Sequence, residues 1–345
     1  MKQNILTICV FCTFLFPSCS QRQTVESDFA QVINSKVLQR LKEIDQSGPA
    51  RYMDPYLPEF SRFEHSVGVG SILQRFNCSK EEQVAGLLHD SSHTVFSHLG
   101  DFVFAKKNLD EFASESFQDS IHNQYLIKNN CEEMLAPIGL TLKDVDIEKN
   151  NYRGLEQKLP DLCADRIEYN LTTGIKFGLI TKTDAKNIIN AIRFQDGIWF
   201  FADHKLARKF SELSCYFTLN FWGAKWNTVL NIHFANAINR AIQIGLINTE
   251  DLFSTDKKVL NILRSSTDQL IKINLLQCEK LLCKLQNKKY KKVLYHPKFR
   301  GVDPLVICND KKLRRLTEID IIYKNYYDFV KEFCKNGYYV DVLVS

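Results

Sequence analysis

The sequence predicts a mainly α-helical fold closed by a small α+β tail, and three observations carry that prediction. Capping-box patterns stand at Ser61-x-x-Glu64 and Ser79-x-x-Glu82, where a serine caps the first turn and a glutamate three residues on reaches back to it. Apolar residues recur at helical spacing through most of the chain between about 30 and 285. Strand-like runs are rare until Leu305-Val306-Ile307 and the stretch from Tyr338 to Val344, which are expected to pair with each other. Taken in order, the first capping box opens a helix with Phe63, Val67, Ile72 and Phe76 near one face. The second opens a helix that buries Val84, Leu87 and Leu88. Leu162 to about Leu171 reads as a helix stopped near Gly174. Residues 183–193 and about 203–285 continue the helical period, with breaks near Gly223 and Gly245. The resulting division is a helical core at 30–200, a helical extension at 201–290 and a small α+β tail at 291–345.

Composition narrows the classes. The chain has 345 residues, 45% of them apolar and 25% charged. These ordinary globular values exclude a largely disordered chain and a multi-span membrane protein. A net charge of +5 is too mild to diagnose nucleic-acid binding by itself. One basic run stands out: Lys284 to Arg315 holds eleven Lys or Arg against two Asp, interleaved with Tyr290, Tyr295 and Phe299. It admits nucleic acid or anionic headgroups as a partner, although a solvated face is the plainer reading.

The N-terminus reads as a targeting segment. Lys2 is followed by an uncharged run from Ile5 to Phe16, too short to span a bilayer comfortably, and then by Pro17-Ser18-Cys19. A small residue followed by Cys at the end of such a run resembles the lipobox of bacterial lipoproteins. That resemblance implies a lipoprotein-like signal segment over 1–19 cut just before Cys19, lipidation of Cys19 as the first residue of the mature chain, and an exported protein anchored to a membrane. Pro17 and Phe16 depart from the usual pattern, and ordinary secretion or an uncleaved anchor are the alternatives; without a working signal the chain would be cytoplasmic. Eight further cysteines follow, none in a CxxC pair, so a zinc ribbon has no support. Most stand in apolar helical contexts, where a free cysteine behaves as a small core residue.

The chemistry concentrates in one stretch. Five of the eight histidines, His65, His89, His93, His98 and His122, fall between positions 65 and 122, with Asp90 and Asp101 among them. A His-Asp pair plus a second His one helix earlier brings two imidazoles and a carboxylate to one point. Such a donor set suits Fe, Mn, Zn or Ni better than Ca. A further carboxylate is expected from a later helix, and Asp165 is the best candidate, with Tyr169 one turn on along the same face. His204, His233 and His296, and the three tryptophans, are expected to be structural.

Arg62-Phe63-Glu64-His65-Ser66, Leu88-His89-Asp90-Ser91-Ser92-His93, Phe96-Ser97-His98 and Ala164-Asp165-Arg166-Ile167-Glu168-Tyr169 together resemble the HD-domain metal-dependent phosphohydrolases. Their order and spacing are most similar to the branch that includes deoxynucleoside triphosphate triphosphohydrolases. The likeness covers roughly residues 50–180. A less specific echo lies in Lys298-Phe299-Arg300-Gly301-Val302-Asp303-Pro304. The resemblance implies an HD-domain helical bundle in which His65, His89, Asp90 and Asp165 bind a divalent metal: Mn, Fe, Zn, Co or Ni, with Mg admissible. It implies that His93 and Asp101 stand where this branch keeps its proton-transfer pair. It further implies that Arg62 and His98 contact phosphate, that Tyr169 lines the substrate pocket, and that His122 makes another polar contact. Homo-oligomerisation is implied by the same likeness alone.

Departures from the pattern bear on substrate. Ser92 and Val95 replace the Gly and Pro common after the His-Asp pair, and Thr173 stands where relatives often carry an acidic residue facing the sugar. The first functional expectation is hydrolysis of a (deoxy)nucleoside triphosphate. The alternatives are an HD hydrolase of another phosphate ester, such as a nucleoside monophosphate, cyclic nucleotide or alarmone, or a non-catalytic lipid-anchored binding protein.

Overall fold

The computed structural model describes residues 29–104 and 117–344. The expected signal peptide and Cys19 lie outside the described residues. Ten longer helices are described: α1 Arg62–Arg75, α2 Lys80–Leu88, α3 Phe117–Lys128, α4 Ala164–Lys176, α5 Lys182–Ala191, α6 His204–Phe217, α7 Lys225–Gln243, α8 Asp256–Ser265, α9 Gln269–Lys280 and α10 Ile321–Asn336. Among the described residues, no helix is long and apolar enough to cross a membrane.

The mainly helical fold with a small α+β C-terminal part is as expected. Helix α1 packs on α2 and α4, and α6 packs on α4, α5 and α10. At the start of α1 both halves of the capping box form: Ser61 Oγ accepts from the Glu64 amide, and the Glu64 carboxylate accepts from the Ser61 amide at 2.9 Å. At α2 only the serine half forms. Glu82 instead accepts from the amides of Gly154 and Leu155 at 2.7 and 3.0 Å, tying the segment before α4 to α2. Helix α4 ends at Lys176, two residues past Gly174 and close to the expected stop. That glycine sits under Ile180 and Leu213, and the chain turns at Gly178 with φ +70°.

The strands differ from expectation. Ile192–Gln195 (β1) and Ile198–Phe201 (β2) form a hairpin turned by Asp196-Gly197, both at positive φ, the geometry of a two-residue primed turn. Leu305–Ile307 (β4) lies parallel to β2 and antiparallel to Leu313–Arg315 (β5). Tyr338–Leu343 (β6) pairs not with β4 but with Tyr290–Tyr295 (β3). The basic run hid β3, whose Lys291 and Lys292 are exposed while Val293 and Leu294 are half-buried.

One continuous buried cluster runs from Phe29 through α1, α2, α4 and α6 to Val330 of α10. A smaller one lies where α7 meets β6, around Val229, Ile232, Val340 and Val342. The eight described cysteines are all free, six of them buried.

Candidate metal centre and cleft

The N-terminal end of α1, the C-terminal end of α2 and the first turn of α4 converge on one cleft of about 1260 Å³. His65 lies on α1, His89 caps the end of α2, Asp90 follows it, and Asp165 is in the first turn of α4. The positive end of a helix dipole favours a carboxylate at that last position. His65 Nε2, His89 Nε2 and an Asp165 carboxylate oxygen all lie within 4.8 Å of one another. Asp165 Oδ1 is 3.0 Å from His65 Nε2 and 3.7 Å from His89 Nε2, and Asp90 faces the same two nitrogens at 3.6 and 3.5 Å.

The outer nitrogens decide how these rings present themselves. His65 Nδ1 donates to Glu168 Oε2 at 2.5 Å, and His89 Nδ1 donates to the Gly86 carbonyl at 2.7 Å. Each ring therefore turns its Nε2 towards the carboxylates. His89 Nε2 is buried and has no hydrogen-bond partner among the described residues, a costly state unless something occupies the space between it and Asp165. Burial disfavours charge on His65, but Glu168, Asp165 and Asp90 outweigh it and push the imidazole up to about 10. The cluster thus demands a positive charge at its centre. Two imidazole nitrogens, two carboxylates and ring orientations fixed from behind suit a divalent transition metal.

Glu168 was not anticipated as part of the site, although its spacing three residues after Asp165 puts it on the same helical face. Its approach depends on Gly68 of α1, where an added Cβ would lie 2.6 Å from Glu168 Oε1. Thr172 donates to that same oxygen at 2.5 Å.

All ten residues expected at the site line the cleft, and the structure adds the partners each of them takes. Arg62 is buried, with Nη1 on Asp90 Oδ2 at 2.6 Å and Nε on Ser97 Oγ at 2.7 Å. Nη1 orients Asp90 and Nε holds Ser97, while the buried Nη2 has no hydrogen-bond partner among the described residues. His93 and Asp101, both on the cleft, take different partners. His93 Nε2 faces Asp90 Oδ1 at 3.2 Å, and Asp101 instead lies 3.4 Å from His98 Nδ1. Burial and the Arg62 charge pull His93 down to about 3 despite Asp90, so it is neutral at ordinary pH. His98 is 42% exposed and borders the cleft. Asp101 Oδ1 is held by the Phe117 amide at 2.8 Å.

His122, on α3, is buried against Ser92 Oγ at 3.0 Å, and burial pulls it down to about 4. Tyr169 packs edge-on against Trp222, 5.1 Å between ring centres. Trp222 is therefore a wall of the cleft and not only core, unlike Trp199, which is buried against Phe76. Thr173 lines the cleft one turn beyond Tyr169.

No protein-family model matches the chain. It is 29% identical to the uncharacterized protein YdhJ of Bacillus subtilis over 84% of this chain and 87% of that one. It is 31% identical to the metal-dependent phosphohydrolase cns2 of Cordyceps militaris over 49% and 46% of the two chains. It is also 30% identical to the deoxynucleoside triphosphate triphosphohydrolase SAMHD1 of Xenopus laevis over 33% and 21%. The chain thus spans less than half the length of the two relatives whose names state an activity. Among solved structures, a phosphohydrolase from Bacteroides thetaiotaomicron superposes with a TM-score of 0.61 at 14% identity, covering 90% and 93% of the two chains. Motif order and these relatives agree in likening the chain to hydrolases of the HD type that depend on a divalent metal.

Proposed function

We propose that the protein hydrolyses nucleotides, with nucleoside triphosphates as the favoured substrates. One observation carries the reading: the Nε2 atoms of His65 and His89 and the Asp165 carboxylate converge within 4.8 Å, with their rings held from behind. In this reading His65, His89, Asp90 and Asp165 hold a divalent cation, which would neutralise phosphate oxygens and acidify water. Arg62 and His93 hold the Asp90 carboxylate from two sides. His98, open to the cleft and backed by Asp101, is placed to pass a proton to or from the reacting group, an effect worth about 10²–10⁴-fold. Tyr169 and Trp222 give the organic part of the substrate an aromatic wall.

The test is metal loading with product identification. Protein stripped of metal and reloaded with Mn, Fe, Co, Zn, Ni or Mg is offered nucleotides, and the released phosphate species is identified. Release of triphosphate supports the reading. Release of orthophosphate or pyrophosphate moves the substrate to another phosphate ester. His89→Ala with Asp90→Ala is expected to abolish both metal content and turnover, and a variant that retained either would overturn the site assignment.

Export with a lipid on Cys19 is a separate proposal, supported by residues 2–19 alone. The mass of the mature N-terminus tests it: a chain beginning at an acylated Cys19 supports it, and an intact Met1 refutes it.

A further inference from the structure

Five cationic side chains line the cleft: Arg62, Arg166, Lys176, Lys298 and Arg300. Three are already engaged. Arg62 binds Asp90, Arg166 binds Glu156 at 2.7 Å, and Lys176 donates to the Glu59 carbonyl at 2.6 Å beside Glu64. Lys298 and Arg300 have no ion pair or hydrogen bond among the described residues; Arg300 rests its guanidinium over the Trp222 ring, 5.9 Å from its centre. A half-buried guanidinium without an anion is poorly compensated, and a phosphate chain supplies what its planar fork fits best.

Both cations sit on a short strap, residues 296–301, that joins β3 to β4. Its ends are bolted down. His296 Nδ1 bonds the Lys335 carbonyl at 2.9 Å. At the other end Val302 donates to Ser214 Oγ at 3.1 Å and accepts from Tyr323 Oη, while the Asp303 amide donates to the Pro160 carbonyl at 2.9 Å. The strap therefore presents its side chains from a fixed backbone. Arg300 lines the same cleft as His98 and Tyr169, and its guanidinium lies against the Trp222 face of the aromatic wall.

We infer that Arg300, assisted by Lys298, is the specificity-determining anion anchor of the cleft, recognising the phosphate chain of substrates that carry two or more phosphates. This rests on the hydrolase reading above and adds to it the means by which a polyphosphate is preferred over a single phosphate ester.

Arg300→Gln, Arg300→Lys and Lys298→Gln are compared with the unaltered full chain. Two measurements are made: KM and kcat for a nucleoside triphosphate and for p-nitrophenyl phosphate, and calorimetric binding of inorganic triphosphate. Arg300→Gln is expected to raise the triphosphate KM about 10–100-fold, the range of a lost charge-assisted hydrogen bond. The rise for p-nitrophenyl phosphate is expected to be at least tenfold smaller. Arg300→Lys should recover part of the loss, and Lys298→Gln should show a smaller effect in the same direction. Equal changes for the two substrates, or none, would overturn the inference. If the unaltered protein turns over no nucleotide with any metal, the hydrolase reading fails. Calorimetry then decides the anchor alone: weaker inorganic triphosphate binding by Arg300→Gln supports it, and unchanged binding refutes it.

Discussion

At Gly68 the absence of a side chain is itself a functional feature. The carboxylate of Glu168 occupies the space a Cβ would need and reaches the back of His65. Gly68→Ala is expected to displace Glu168 and to destabilise the fold by about 1–3 kcal/mol, as overpacking does. Glu168→Gln keeps the volume but weakens the grip on Nδ1, and a lost support of this kind lowers metal affinity about 10–100-fold. Equilibrium metal competition on both variants checks this, and unchanged affinity in Glu168→Gln would remove Glu168 from the site. The sequence made the inward-facing donors legible because chemistry restricts them to a few residue types in a strict order. Glu168 was less visible because an acidic residue on a helix is ordinarily solvated. That Asp101 meets His98 while His93 turns to Asp90 was not legible at all. It depends on the turn before His98, where Phe96 and Ser97 both adopt φ +60°.

The elements around that turn explain how such a backbone persists. Asp256, the first residue of α8, is fully buried. One carboxylate oxygen accepts from the Phe96 amide at 2.6 Å, and the other accepts from the Asp45 amide and Tyr52 Oη. Ser97 in turn donates to the Asp45 carbonyl and accepts from Arg62, which holds Asp90. A left-handed pair of non-glycine residues costs energy, and these bonds over-determine it. Burial pushes Asp256 up to about 7 and nearby Asp45 up to about 6, despite the amides that hold them. A carboxyl raised above its unfolded value favours the fold at low pH, and that contribution is lost as pH rises through its folded value. The unaltered protein should therefore lose stability between about pH 4 and 7 relative to Asp256→Asn, which cannot titrate there. Thermal melts of both proteins across pH 4–8 measure the difference, and parallel curves would refute the burial argument. The long helices were legible from capping serines and periodicity. The β1–β2 hairpin was overlooked, although Asp196-Gly197 between apolar runs is a strong turn signature. β3 was obscured because its outward face is lysine.

Across the whole molecule, helices from the start and the end of the described chain share one buried cluster. Phe201 of β2 lies fully buried in it, in register with Val306 of β4. Phe201→Ala is expected to cost about 3–5 kcal/mol, the range for emptying a buried aromatic site. Circular dichroism and tryptophan fluorescence should shift together in one transition, and two separated transitions would show that the tail melts independently. The parallel contact between β2 and β4 was illegible locally, because it joins segments about a hundred residues apart and neither short run carries a mark of its partner.

That same contact sets an order of events in synthesis. While the chain emerges, every proposed metal ligand has been made by residue 165, yet one edge of the β1–β2 hairpin stays bare until residues 305–307 arrive. Arg300 comes just before them, and two partners that tether its strap, Tyr323 and Lys335, come only afterwards. In this reading the proposed ion site is complete early, but the strap proposed to sort substrates is set in place only well over a hundred residues later.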